Sequence, residues 1–185
     1  MRLNYLILCI GLLLANFACQ DNIPVPKPKA QIRLEYPKGE LSSLETDNFK
    51  FKYNQFARPR LNSENAYTLD YPEMKGAIFL SYKKINSNLE KLIIDAKRLS
   101  YEHAVKADNI VEQPYVNPDK KVYGALFEVQ GNAASQSQFF VTDSTKHFLT
   151  GSVYFYTKPN YDSILPAAAY LQNDIRGIIE TLQWK

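Results

Sequence analysis

The order of hydrophobic patterns along this chain predicts an α+β domain, an antiparallel β-sheet with two main helices packed on it. Three observations lead there. Short segments of strict apolar–polar alternation occupy the first half of the body. Two longer segments repeat apolar residues at helical spacing, one near residue 90 and one at the end. Between them lie three closely spaced strand-like segments with polar connections. Aromatics are abundant, with 13 Tyr and 10 Phe, which suits half-buried pleated surfaces.

The first residues have the parts of an export signal. Arg2 supplies a positive start, Leu3 to Leu14 are mostly apolar, and Ala15 and Ala18 precede Cys19. The apolar run falls short of the roughly 20 residues a membrane-spanning helix needs. Leu14 to Cys19 resembles a lipobox, with Ala18 fitting the pattern and Asn16 departing from it. Residues 1–18 are therefore expected to be a signal peptide, and Cys19 the lipid attachment site. The other reading is an ordinary export signal beside a buried cysteine. Each buried methylene contributes about 0.8 kcal/mol, so several acyl chains would hold the protein stably on a membrane. Gln20, rather than an aspartate, after the cysteine favours the outer over the inner membrane. Cys9 would leave with the signal, so the processed chain would have no free thiol for a disulfide, a nucleophile or a thiolate metal site.

Removal of residues 1–18 leaves 167 residues with 21 basic and 19 acidic groups. That near-neutral balance argues against nucleic-acid binding through a basic face. The length suits one domain over residues 31–185. Residues 19–30 carry the lipidated cysteine, then Pro24, Pro26 and Pro28 interleaved with Lys27 and Lys29. Such a tether favours an extended polyproline conformation with a reach of about 30 Å.

In the body, Gln31–Tyr36 and Phe49–Tyr53 alternate as strands, while the polar segments 37–48 and 54–66 read as loops. Gly76–Lys83 is a strand in which Ile78, Leu80 and Tyr82 share one face, and Phe79 suggests burial on the other. Leu89, Leu92, Ile93, Ala96, Leu99 and Ala107 form a stripe that predicts a helix over 87–107, opened by Asn86 or Ser87. Asp108–Val116 is short and interrupted by Pro114. Lys121–Gln130, Gln138–Asp143 and Phe148–Lys158 read as antiparallel strands, with Gly131 available for positive φ in the first connection. A last helix opens at Asp162 or Ser163, tolerates Pro166 near its start, and carries Ala168, Leu171, Ile175, Ile178, Ile179 and Leu182 on one stripe.

Candidate chemistry is sparse. His103 falls on the first helical stripe, and His147 follows a polar connection. Ser137, His147 and Asp143 supply the residue types of a Ser/His/Asp set, but no G-x-S-x-G elbow accompanies them. Metal spacings and nucleotide-binding glycine patterns are missing too, so no cofactor, metal or small-molecule substrate is expected. Gly131–Gln138 combines small residues with amide side chains, which suits either a hairpin loop or recognition of a partner backbone. Tyr154 and Tyr156 share one strand face, to be covered by a helix or to serve as a docking surface.

From Ala107 onward longer blocks stand out: Lys106–Tyr115, Gly131–Phe139, Thr150–Tyr156, Lys158–Ala167 and Glu180–Lys185. They resemble the GldD family, gliding-motility lipoproteins of Bacteroidota, closely over the last 80 or so residues and more loosely back to the tether. The element order also resembles the α–β–α sandwich of PsbP/Mog1-type domains. The family resemblance implies a non-enzymatic, membrane-attached accessory of the gliding and type IX secretion machinery, with other envelope proteins as partners. It carries over no catalytic residue, and Cys19 alone as a defined site. Asp143-Ser144-Thr145 and Asp162-Ser163-Ile164 resemble short O-glycosylation acceptors, which would place a sugar on Ser144 or Ser163. An envelope hydrolase using the Ser/His/Asp set and a small-ligand-binding module are the alternatives.

Overall fold

Strands on both sides of the first helix build a seven-stranded antiparallel sheet, and helical periodicity supplies a cover for each of its faces. The computed structural model describes residues 36–102, 107–157 and 160–185, all within one compact unit, Ile32–Lys185. The signal peptide, Cys19, the tether, residues 31–35 of the expected first strand, and His103 lie outside the described residues.

In chain order the elements are β1 (Leu41–Glu45), β2 (Phe49–Asn54), β3 (Arg58–Ser63), β4 (Ala66–Tyr71), β5 (Gly76–Lys84), α1 (Leu89–Glu102), β6 (Ala107–Asn117), β7 (Val122–Gly131), β8 (Ser137–Thr142), β9 (His147–Phe155), α2 (Tyr161–Thr181) and β10 (Gln183–Trp184). The large sheet has the order β3-β4-β5-β9-β8-β7-β6, and a small one has the order β1-β2-β10. The fold class is thus α+β with antiparallel pairing, as the sequence predicts, and it has a second sheet.

Strand parity sorts the core. Ile78, Leu80, Leu149, Val153, Phe139, Val141 and Leu126 point to the side where α2 lays down Leu171, Ile175, Ile178, Ile179 and Leu182. Phe49 and Phe51 of β2 enter the same cluster, so the small sheet shares that side with α2. Phe127, Phe140 and Phe148 point the other way and meet Leu92 of α1. The layers are α1, the seven-stranded sheet, then α2 beside the small sheet. At full burial each of these large side chains contributes about 1.5–3 kcal/mol.

Several expectations need correction. The segments 37–48 and 54–66 are not plain loops. β1, all of β3 and the start of β4 fall in them, and β3 is exposed along its whole length. A strand that buries neither face leaves no alternation to read. Its Arg58, Pro59 and Arg60 suit an outer strand that must not pair further. Tyr36 lies outside any strand. α1 is shorter than 87–107: it starts at Leu89, Ala107 already belongs to β6, and Leu99 is 53% exposed on the flank of the stripe. Ser100 takes the inner position instead and bonds Gln138 Oε1 at 3.2 Å. Phe79 is 36% exposed rather than buried.

β6 is an unbroken strand of 11 residues. Pro114 fits because β6 is the edge, where a missing N–H costs no ladder bond if it faces outward. Both helices brace that edge. Glu112 accepts from Lys97 Nζ at 2.7 Å and from Tyr101 at 3.0 Å on the α1 side. On the α2 side Arg176 reaches Gln113 at 2.9 Å and pairs with Glu128.

Two glycines respond oppositely to an added methyl. A Cβ on Gly124 would lie 1.9 Å from the Phe140 carbonyl oxygen, whereas one on Gly177 meets nothing within 4 Å. Gly124→Ala is therefore expected to destabilise by about 3 kcal/mol through overpacking. Gly177→Ala, inside α2, should stabilise by about 1 kcal/mol. Urea midpoints of the two variants, at unchanged slope, check both signs.

Candidate functional site

The antiparallel order brings the β6–β7 turn, the β8–β9 turn and the end of β5 to one end of the large sheet, because Lys84 pairs with His147 and Thr142 with Phe148. The C-terminal residues meet them there. Trp184 in β10 pairs with Phe49 of β2, and its Nε1 donates to the Lys121 carbonyl at 3.0 Å. Its ring stacks on the His147 imidazole, centroids 5.2 Å apart and planes 9° from parallel. His147 is 7% exposed, and its Nδ1 lies 2.9 Å from the Tyr82 hydroxyl. A main-chain acceptor of Lys185 also faces the ring. A neutral imidazole with its proton on Nε2 satisfies this network, a tautomer assigned from the contacts.

Asp143 holds the adjoining turn. Its Oδ1 accepts from the main-chain N–H of Thr145, Lys146 and His147 at 2.8–2.9 Å, and Oδ2 from the Thr145 hydroxyl at 2.8 Å. Burial pushes this carboxyl up, but the donated hydrogen bonds outweigh it and bring the pKa down to about 2. For His147 burial dominates and lowers the pKa below the usual 6.5; Lys146 and Lys84 add repulsion, while Asp143 and Lys185 pull upward.

The Ser/His/Asp set does not assemble. Ser137 is buried at the opposite end of β8. It lies five residue steps along the strand from Thr142, about 17 Å at the usual rise. The His147 Nδ1 is occupied by Tyr82, and Asp143 is committed to its own turn. Ser144, with φ 68°, is exposed in that turn. Ser163 is exposed in the first turn of α2.

The amide-rich segment after Gly131 is folded inward. Ala133, Ser135, Gln136, Ser137 and Gln138 are buried, and Gln136 Nε2 donates to the Ala133 carbonyl at 2.8 Å. Gly131 takes φ 105°, as expected. Asn132 Oδ1 accepts the Tyr161 N–H at 2.9 Å and so caps α2. Of the two tyrosines on β9 and just beyond, Tyr154 packs edge-on against Phe79. Tyr156 is 57% exposed and donates to Asp70 at 3.2 Å. This leaves a small aromatic strip on the α1 side of β5 and β9.

Sequence reasoning missed Trp184 and Tyr82 as partners of His147, because all three meet through pairing across 65 and 37 intervening positions of chain order. It also missed a buried polar cluster beneath Tyr36. Tyr170 donates to the Pro37 carbonyl at 2.8 Å and accepts from Asn54 at 2.6 Å. Nearby, Tyr71 faces Asp174 without a hydrogen bond of good geometry. Burial raises Asp174, with Tyr71 and Asn54 drawing it partly back.

Around the His147–Trp184 stack opens a cleft of about 560 Å³, lined by Asp119, Lys120, Lys121, Lys146, Gln183 and Lys185 among others. No cluster of three His, Cys, Asp or Glu that could hold a metal occurs among the described residues, and no helix there is long and apolar enough to cross a membrane.

The model of the family described as gliding motility lipoprotein GldD matches residues 21–184. The chain belongs to this family. That membership makes it a lipoprotein of gliding motility and points to the cell envelope. No curated protein matches the chain.

Acid should loosen the C-terminal clasp, with the sign set by His147. A depressed histidine pKa gives a contribution that is complete above the unfolded value of 6.5 and is lost as pH falls below it. Asp143 adds a contribution complete above 3.8 and lost toward about 2. Trp184 is the sole tryptophan, so its emission should begin to red-shift below pH ~6.5, ahead of global unfolding by circular dichroism. Trp184→Ala and His147→Ala should each cost about 2 kcal/mol, with a coupling of roughly 1 kcal/mol in a double-mutant cycle.

Proposed function

We propose that this protein acts non-enzymatically, as a lipid-tethered accessory that assembles or stabilises the gliding and type IX secretion machinery through protein contacts. On this reading residues 1–18 are the removed signal and Cys19 carries the acyl chains. Residues 19–30 form the tether and residues 31–185 the working domain. The outer membrane is the favoured site of anchoring.

One observation carries the non-enzymatic reading: the histidine that a hydrolase would need as its base is built into a structural clasp. Its Nδ1 is taken by Tyr82 and its face by Trp184. A general base must reach the nucleophile's proton directly or through one water, and Ser137 lies a strand length away. Membership of the gliding-motility lipoprotein family supports the wider role.

Deletion of the gene should abolish colony spreading, and a Cys19→Ala form should leave the membrane fraction and fail to restore it. Ser137→Ala, at normal abundance, should spread like the parent. Loss of spreading in that variant with its fold intact, by circular dichroism, would favour the hydrolase instead.

A further inference from the structure

We infer that the cleft beside Trp184 is a docking site for an acidic polypeptide segment of a partner protein; this rests on the accessory role proposed above and names the chemistry of the contact. Five lysines converge on this end of the sheet. Lys120 and Lys121 come from the β6–β7 turn, Lys146 from the β8–β9 turn, Lys84 from the end of β5, and Lys185 from the chain end. Lys84 and Lys146 already act on the neighbouring His147 as positive charges. Lys121 and Lys146 are exposed and have no ion pair among the described residues.

The opposing acids do not cancel this charge. Asp143 is saturated by four donors of its own turn. Glu45 offsets Lys185 at 3.0 Å, which leaves Lys84, Lys120, Lys121 and Lys146 as the cationic set. Asp119 alone remains as an exposed acid in the cleft wall.

Three features favour a polypeptide over a bilayer. The site is concave, with a partly buried tryptophan in its wall as an aromatic anchor, and such residues dominate the energetics of protein interfaces. Its wall mixes ammonium donors with the acceptors Asp119 and Gln183. An acidic segment answers both, with carboxylates for the lysines and main-chain N–H groups for the acceptors. The cationic end also lies away from the point where the chain enters the domain. Tyr36 and Pro37 pack near Tyr71, Pro72 and Met74, just before β5 begins, whereas Lys84 closes β5 nine residues later. That strand spans about 30 Å, so the cleft and the point of entry at Tyr36 lie at opposite ends of β5.

Trp184 makes the test local. The mature lipoprotein in a non-ionic detergent is titrated with a decaglutamate peptide while tryptophan emission is followed. The expected result is a saturable shift that weakens at least tenfold between about 0.05 M and about 0.5 M salt. The paired charge reversal Lys121→Glu with Lys146→Glu should weaken it at least tenfold again, with circular dichroism unchanged. Emission unmoved by the peptide, or an equal response from the reversed variant, overturns the inference. A response to phosphatidylglycerol vesicles without one to the peptide also overturns it and assigns the lysines to a membrane surface. None of these failures touches the accessory role, which stands or falls on spreading of the deletion strain.

Discussion

The arrangement around the cleft depends on one packing constraint: the apolar stripe of α2 must satisfy two sheets at once. Leu171, Ile175, Ile178 and Ile179 lie on the large sheet, while Phe49 and Phe51 bring the small sheet into the same cluster. The Thr181 hydroxyl accepts the Lys52 N–H at 2.9 Å and registers the end of the helix against β2. Leu182, fully buried, then turns the chain out of the helix, so that the next residues can join β2 as β10. Trp184 arrives over His147 because the helix ends there. A shift of α2 by one turn, about 5.4 Å, would separate the stacked rings.

The same geometry explains why charge collects where it does. In an antiparallel sheet alternate connections lie at the same end, and short connections must be polar to keep their main-chain groups solvated or bonded. Lysine at each of these turns costs nothing in the core, and the sheet then sums them into one cationic face. The tight turn at Asp143 ties its carboxylate to three N–H groups, so the acid forms no ion pair with these lysines, although its charge still acts on His147. His147, one residue beyond, stays neutral in the same field. Fold and electrostatics are therefore coupled through the β8–β9 turn rather than being separate properties.

The sequence reveals most where burial is one-sided. β5 and the later part of β9 alternate because one face meets α2 and the other is less covered, and α2 itself announces its stripe with Leu171, Ile175, Ile178 and Ile179. It fails where that asymmetry is absent. β3 buries nothing and looks like a loop. β10 is two residues long and has no pattern. α1 contacts the sheet with a narrow strip, so Leu99 at its flank stays exposed while Ser100 goes in. The site was legible in its parts and illegible as a set. His147 and Asp143 stood out as residue types, yet Trp184 and Tyr82 join them only through pairing between distant segments. The polar residues after Gly131 read as a surface loop because amides usually are; here they close on their own carbonyls and, through Asn132, cap a helix.

His147 ties these threads together. A histidine at the end of a strand can carry a proton or serve as a flat wall for an aromatic ring, and here burial favours the neutral ring. Protonation would set an imidazolium beside Lys84 and Lys146 and take away the Nδ1 acceptor that Tyr82 uses. The ring stacks on Trp184, while the chain end is held on β2 by its own strand pairing. Gln183 to Lys185, which form part of the cleft wall, are held by pairing with β2, by the Trp184–Lys121 hydrogen bond and by the Lys185 N–H on the Asn48 carbonyl, and the His147 stack adds to these. The titratable ring beside the cleft is thereby part of the architecture that shapes its wall.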